Sequence, residues 1–136
     1  MAKILMMISV LIILILGIIH LIYTFWGPKL TPRDANLKSK MESVAPVITD
    51  ETTMWKCWIA FNASHSFGLL LFGSIFGYLA IFKADVLFGS FFLLSVGFLL
   101  LSSLVVIGKL YLFSIPFIGI CISLICYAAS VVLSYS

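Results

Sequence analysis

Charge is what this sequence has least of. Of 136 residues only 8 are Lys or Arg and 5 are Asp or Glu, so 10% are charged, against about 25% in soluble domains. The three cysteines, Cys57, Cys121 and Cys126, have no metal-ligand or redox spacing and read as small packing residues. There are two histidines, His20 and His65, too few for an all-histidine zinc site. No basic patch interleaved with aromatics is present, which excludes the usual nucleic-acid surface, so nucleic acid is not an expected partner. Carboxylates are missing from every long apolar run, which leaves a buried enzyme site without a base or a group to orient a histidine.

What is present in quantity is apolar surface. Hydrophobic residues make up 63% of the chain, against roughly 45–50% in soluble domains. A chain of this size has too little interior to hide that much, so its solvent is a bilayer. Uncharged runs of bilayer length occur at about 4–25, 57–82, 86–107 and 113–135. Backbone groups in hydrocarbon must bond within their own segment, which selects helices. The expected fold is all-α: a single domain, 1–136, of four transmembrane helices at about 4–25, 51–82, 86–107 and 113–135. The expected interfacial loop is 27–50, with a short interfacial helix between the first and second spans.

The first span ends in the aromatic cluster Tyr23, Phe25 and Trp26, closed by Gly27-Pro28. Tyr and Trp favour the headgroup level because an apolar ring carries a group that bonds water. Within 27–50, Thr31-Pro32-Arg33-Asp34 has the pattern of a helix start, with Thr31 as N-cap. Leu37, Met41 and Val44 then recur at helical spacing, which predicts a helix lying in the interface. Asp50-Glu51 places acid where the dipole of the next helix favours it, so that helix is expected to begin near Glu51. Gly73-Ser74-Ile75-Phe76-Gly77 supplies a GxxxG, a spacing that lets helix backbones approach closely.

The stretch Trp58 to Gly68 stands apart, because several polar side chains there fall inside a membrane run. Trp58, Asn62 and His65 share a stripe, and Gly17, His20 and Thr24 share a face of the first span. His20 lies six residues from Trp26 and His65 seven from Trp58, depths of about 9 and about 10.5 Å at 1.5 Å per residue. Both imidazoles therefore belong at one level on antiparallel neighbours. Ser102 or Ser103 of the third span, and Gly119, Cys121 or Ser123 of the fourth, are expected to reach it too.

Polar groups at such depth face inward and find partners. The candidate ligand-binding set is His20, Thr24, Trp58, Asn62, His65 and Ser66. One reading is a hydrogen-bonded network that fixes helix register. A second is a pocket for a lipid or quinone, with Asn62 and His65 bonding a carbonyl or headgroup. A third is a haem b held by His20 and His65 as axial ligands. Ser64 and Ser66 flank His65 but point about 100° away from it, so they do not form a nucleophile and base pair.

FNASHSFGLLLFG, preceded by a Trp and an interfacial loop, resembles an uncharacterised group of small bacterial four-helix membrane proteins. In outline the chain is also similar to DoxX-like and EXPERA-type four-helix proteins. The EXPERA family relies on acidic residues within its helices, which the four runs here lack. The resemblance implies a four-helix membrane fold and the inner membrane of a bacterium; it transfers no activity.

Together these observations predict a small integral membrane protein, more a binder than an enzyme. Its expected role is to hold a lipophilic ligand or to pack as an accessory subunit of a larger membrane complex, with membrane lipids as partners. The alternatives are a haem-bearing electron-transfer protein and an enzyme acting on lipid. Lys29, Arg33, Lys38, Lys40, Lys56 and Lys109 flank one end of the spans, against Lys3 and Lys83 at the other. By basic-residue count, segment 27–56 is expected in the cytoplasm.

Overall fold

The computed structural model describes residues 1–135, and among them every regular element is a helix. In chain order these are α1 (Ala2–Phe25), α2 (Ala35–Ser43), α3 (Met54–Phe82), α4 (Ala84–Gly89), α5 (Phe91–Tyr111) and α6 (Ser114–Ser134). Four of them, α1, α3, α5 and α6, are long and apolar enough to cross a membrane, and the short α2 lies between the first two of these. Between 22% and 39% of each span's most apolar window is buried by protein, so most of that surface needs lipid as its solvent. The chain is that of an integral membrane protein.

Three helix starts differ from the expectation, each because a side chain is already committed elsewhere. Thr31 does not cap α2: its hydroxyl donates to Pro28 O at 2.7 Å and closes a turn. Asp34 is the cap instead, its carboxylate accepting from Asn36 N at 2.8 Å. The second span begins at Met54 rather than near Glu51, with Thr53 Oγ1 accepting from Lys56 N, so Asp50 and Glu51 stay outside the helix. The run expected as one helix at 86–107 is broken at Ser90, whose backbone is extended and whose hydroxyl accepts from Leu93 N at 3.2 Å. The short α4 precedes that break, and α5 runs on to Tyr111.

By compactness the described residues form two units, Met1–Leu16 with 69–135, and Gly17–Gly68. The first unit is a helix bundle. Its core gathers Met6, Val10, Ile13, Phe72, Phe76, Leu87, Leu101 and Tyr127. As α1 advances from Ala2 through Ser9 to Leu16, its neighbour on α6 recedes from Ser130 through Ser123 to Gly119, so the two run antiparallel. Ser130 donates to Ala2 O at 2.7 Å, and Ser123 donates to Ser9 O at 3.0 Å while its oxygen meets the Ser9 hydroxyl at 2.9 Å. Ser123, expected beside the histidines, is thus spent on α1.

The GxxxG serves packing inside this bundle. A Cβ at Gly73 would collide with the Leu14 side chain, and one at Gly77 would press on Val10. Gly97 similarly makes room for Tyr127, whose buried hydroxyl donates to Leu94 O at 3.0 Å.

The second unit holds the loopward part of α1, the connection with α2, and the first half of α3. Gly27, with φ +87°, turns the chain out of α1 in a conformation that L side chains rarely adopt. Trp58 Nε1 donates to Leu30 O at 3.0 Å, and Met54 N donates to Val44 O at 2.9 Å, which straps the connection onto α3 at two points. With 29 residues α3 is about 44 Å long, against about 30 Å of hydrocarbon, so its Trp55–Trp58 end reaches headgroup level.

Gly73→Ala is expected to destabilise the protein by about 1–3 kcal/mol through overpacking against Leu14. Gly68→Ala meets nothing within 4 Å and should be neutral or stabilising by up to about 1 kcal/mol through helix propensity. Unfolding of both variants in mild detergent, followed by circular dichroism, checks the contrast; equal effects would remove the packing role of Gly73.

Candidate functional site

All six candidate residues lie in the second unit. At its centre His20 Nε2 and Asn62 Oδ1 are 3.1 Å apart, joining α1 to α3. The His65 ring stands edge-on to that of His20, with centroids 5.4 Å apart and an interplanar angle of 83°. The shared level read from the tryptophan landmarks thus becomes direct ring contact. Asn62 is 6% exposed and Ser66 fully buried, while both imidazoles are half-buried.

The orientation of the Asn62 amide is set by its own helix. Its Nδ2 donates to Trp58 O at 2.7 Å, so its Oδ1 must face His20. An amide oxygen accepts and cannot donate, so His20 Nε2 carries the hydrogen, which makes Nδ1 the acceptor of the neutral ring. A helix carbonyl thereby fixes, through one amide, the tautomer of an imidazole on another helix.

The remaining members are likewise committed. The Thr24 hydroxyl donates to His20 O at 2.8 Å and that of Ser66 to Asn62 O at 3.0 Å. Trp58 spends its N–H on Leu30 O. The ring of His65 makes no hydrogen bond among the described residues; its one ring contact is with His20. Five of the six residues are therefore bonded internally through their donors, leaving His65 and Nδ1 of His20 with capacity for anything else.

This geometry does not fit haem ligation. Bis-histidine coordination needs a free nitrogen on each ring, aimed at the other across a flat macrocycle. Here the two rings touch edge to face, with centroids 5.4 Å apart, which leaves no room for a macrocycle between them. Nor do the described residues group three His, Cys, Asp or Glu side chains where they could hold a metal ion.

A cavity of about 300 Å³ opens in the same unit, lined by Tyr23, Thr24, Phe25, Gly27, Leu30, Thr31, Lys38, Trp55 and Ile59. Thr24 lies one turn from His20, and Ile59 one turn from Asn62, so the hydrogen-bonded pair sits a turn away from two of the lining residues without lining the cavity itself. Lys38 is the one charged lining residue, its Nζ 5.3 Å from the centre of the Trp55 ring and 2.9 Å from Glu42. Of these nine residues the sequence singled out Thr24 alone as a ligand contact. The available signals were the aromatic cluster after Thr24, the Gly27-Pro28 turn, and Trp55 and Ile59 at helical spacing. A larger groove of about 530 Å³ belongs to the first unit, between α5 and α6, and is almost wholly apolar.

The His20 and Asn62 side chains should be coupled by about 0.6–2 kcal/mol in a double-mutant cycle of His20→Ala and Asn62→Ala, read from unfolding in detergent; strict additivity would remove the bond. Haem added to the purified protein should show none of the shift and sharpening of its Soret band that ligation by two imidazoles produces. No family model matches this chain, and no curated protein or solved structure does, so the functional reading rests on the geometry.

Proposed function

We propose that the protein is a non-enzymatic binder of a membrane amphiphile, whose polar head occupies the cavity of the second unit. The observation that supports this is the lining itself. Tyr23, Thr31 and Lys38 offer polar contacts, while Phe25, Leu30 and Ile59 are apolar, at the end of α3 that overruns the hydrocarbon. A volume of about 300 Å³ is at the lower limit for small-molecule pockets, enough for a headgroup rather than a whole lipid. In this reading the His20–Asn62 pair is a brace that keeps α1 and α3 at the spacing the cavity needs.

The proposed setting is the inner membrane of a bacterium with segment 27–56 in the cytoplasm, in line with the family resemblance and with the excess of Lys and Arg in 27–56.

Native mass spectrometry of protein purified in mild detergent tests the reading: lipid should be retained. Ile59→Trp, which fills the cavity, should weaken retention by about tenfold, equivalent to ~1.4 kcal/mol. Unchanged retention in that variant would place the lipid elsewhere and sink the proposal.

A further inference from the structure

We infer that the cavity selects an anionic lipid, through contact between the headgroup phosphodiester and Lys38; this rests on the lipid-binding reading above. The hydrogen-bonding inventory of the lining decides the sign. Thr24 and Thr31 have already given their hydroxyl hydrogens to His20 O and Pro28 O. What remains with donor capacity is Tyr23 and Trp55, whose hydroxyl and indole N–H are bonded to no described residue, and Lys38, which spends one of its three N–H groups on Glu42. Free donors and a cation call for an acceptor that carries negative charge.

The aromatic lining does not favour the opposite choice, a zwitterionic headgroup held by its quaternary ammonium. The Trp55 face, the natural seat for such a cation, already has the Lys38 ammonium over it. A second cation placed there would meet like charge. The Glu42 carboxylate is no strong competitor for Lys38, because both side chains are well exposed, at 40% and 46%, and exposed pairs contribute little. Lys38 can therefore turn from Glu42 to a phosphate. The apolar lining residues require that this phosphate come with an acyl-bearing body rather than as a small soluble ester.

The test is native mass spectrometry of the full-length protein in detergent, titrated with dioleoyl phosphatidylglycerol or dioleoyl phosphatidylcholine. The natural sequence should retain the phosphatidylglycerol about fivefold better. Lys38→Gln should bring the two lipids to parity, whereas Lys38→Arg keeps the preference. Lys40→Gln removes the same charge from the opposite side of α2, away from the cavity, and should leave the preference within about twofold of the natural value. Equal retention of the two lipids by the natural sequence overturns the anion selectivity but leaves lipid binding standing. Retention of neither removes both readings. Equal losses in Lys38→Gln and Lys40→Gln would make the preference one of bulk charge and overturn the assignment to Lys38. Displacement of phosphatidylglycerol by equimolar sn-glycerol 3-phosphate would overturn the lipid as the source of the phosphate.

Discussion

In hydrocarbon a polar group can bond only to protein, and that constraint organises both units of this molecule. No buried side-chain nitrogen or oxygen among the described residues lacks a hydrogen-bond partner. The economical solution for a hydroxyl is a backbone carbonyl, because every helix carries spare acceptor lone pairs. In the bundle, Ser123, Ser130 and Tyr127 use carbonyls of a different helix, which turns satisfaction of a polar group into an interhelical tie. Thr24 and Ser66 use carbonyls of their own helix, four residues back, and so are satisfied without tying anything. The same chemistry serves adhesion in one case and simple tolerance in the other.

Asn62 is the exception that gives the second unit its character. It is the buried side chain there that bonds both to its own helix and to another helix's side chain. Because its amide has two distinct ends, the bond to Trp58 O determines which end reaches α1. Direction then passes along the chain of bonds, from carbonyl to amide to imidazole, and ends at a ring whose second nitrogen remains an acceptor. Replacing Asn62 by Asp would remove the donor end and leave Trp58 O without its partner, while a carboxylate oxygen could still accept from His20 Nε2.

The four spans were legible because length and hydropathy decide them without reference to a partner. The level of His20 and His65 was legible too, since a helix rises by a constant amount per residue and the tryptophans supplied an origin. Helix starts were less so. Thr31 carries as good a capping side chain as Asp34, and only the turn at Pro28, which consumes its hydroxyl, separates them. The break at Ser90 was hidden because apolar residues continue on both sides of it and the signal is a single serine bonding three residues ahead. Gly73 and Gly77 announced close packing by their spacing, but the identity of the neighbour, α1, is a tertiary fact. The cavity was least visible of all: Lys38 and Trp55 are far apart in sequence, and their meeting depends on the straps at Leu30 and Val44.

Those straps link the His20–Asn62 pair to the loop that walls the cavity. Trp58 serves both: its carbonyl orients Asn62 and its indole N–H holds Leu30. One residue on α3 therefore orients the side chain that meets His20 and holds the loop that supplies part of the cavity wall. A second amphiphilic residue, Lys38, lays its ammonium over Trp55 one turn away. The polar character of the cavity then follows from the depth at which it forms. Six residues deeper an unpaired ammonium would carry a cost of several kcal/mol. At the tryptophan level it sits against the apolar wall over Trp55 while its side chain stays 40% exposed.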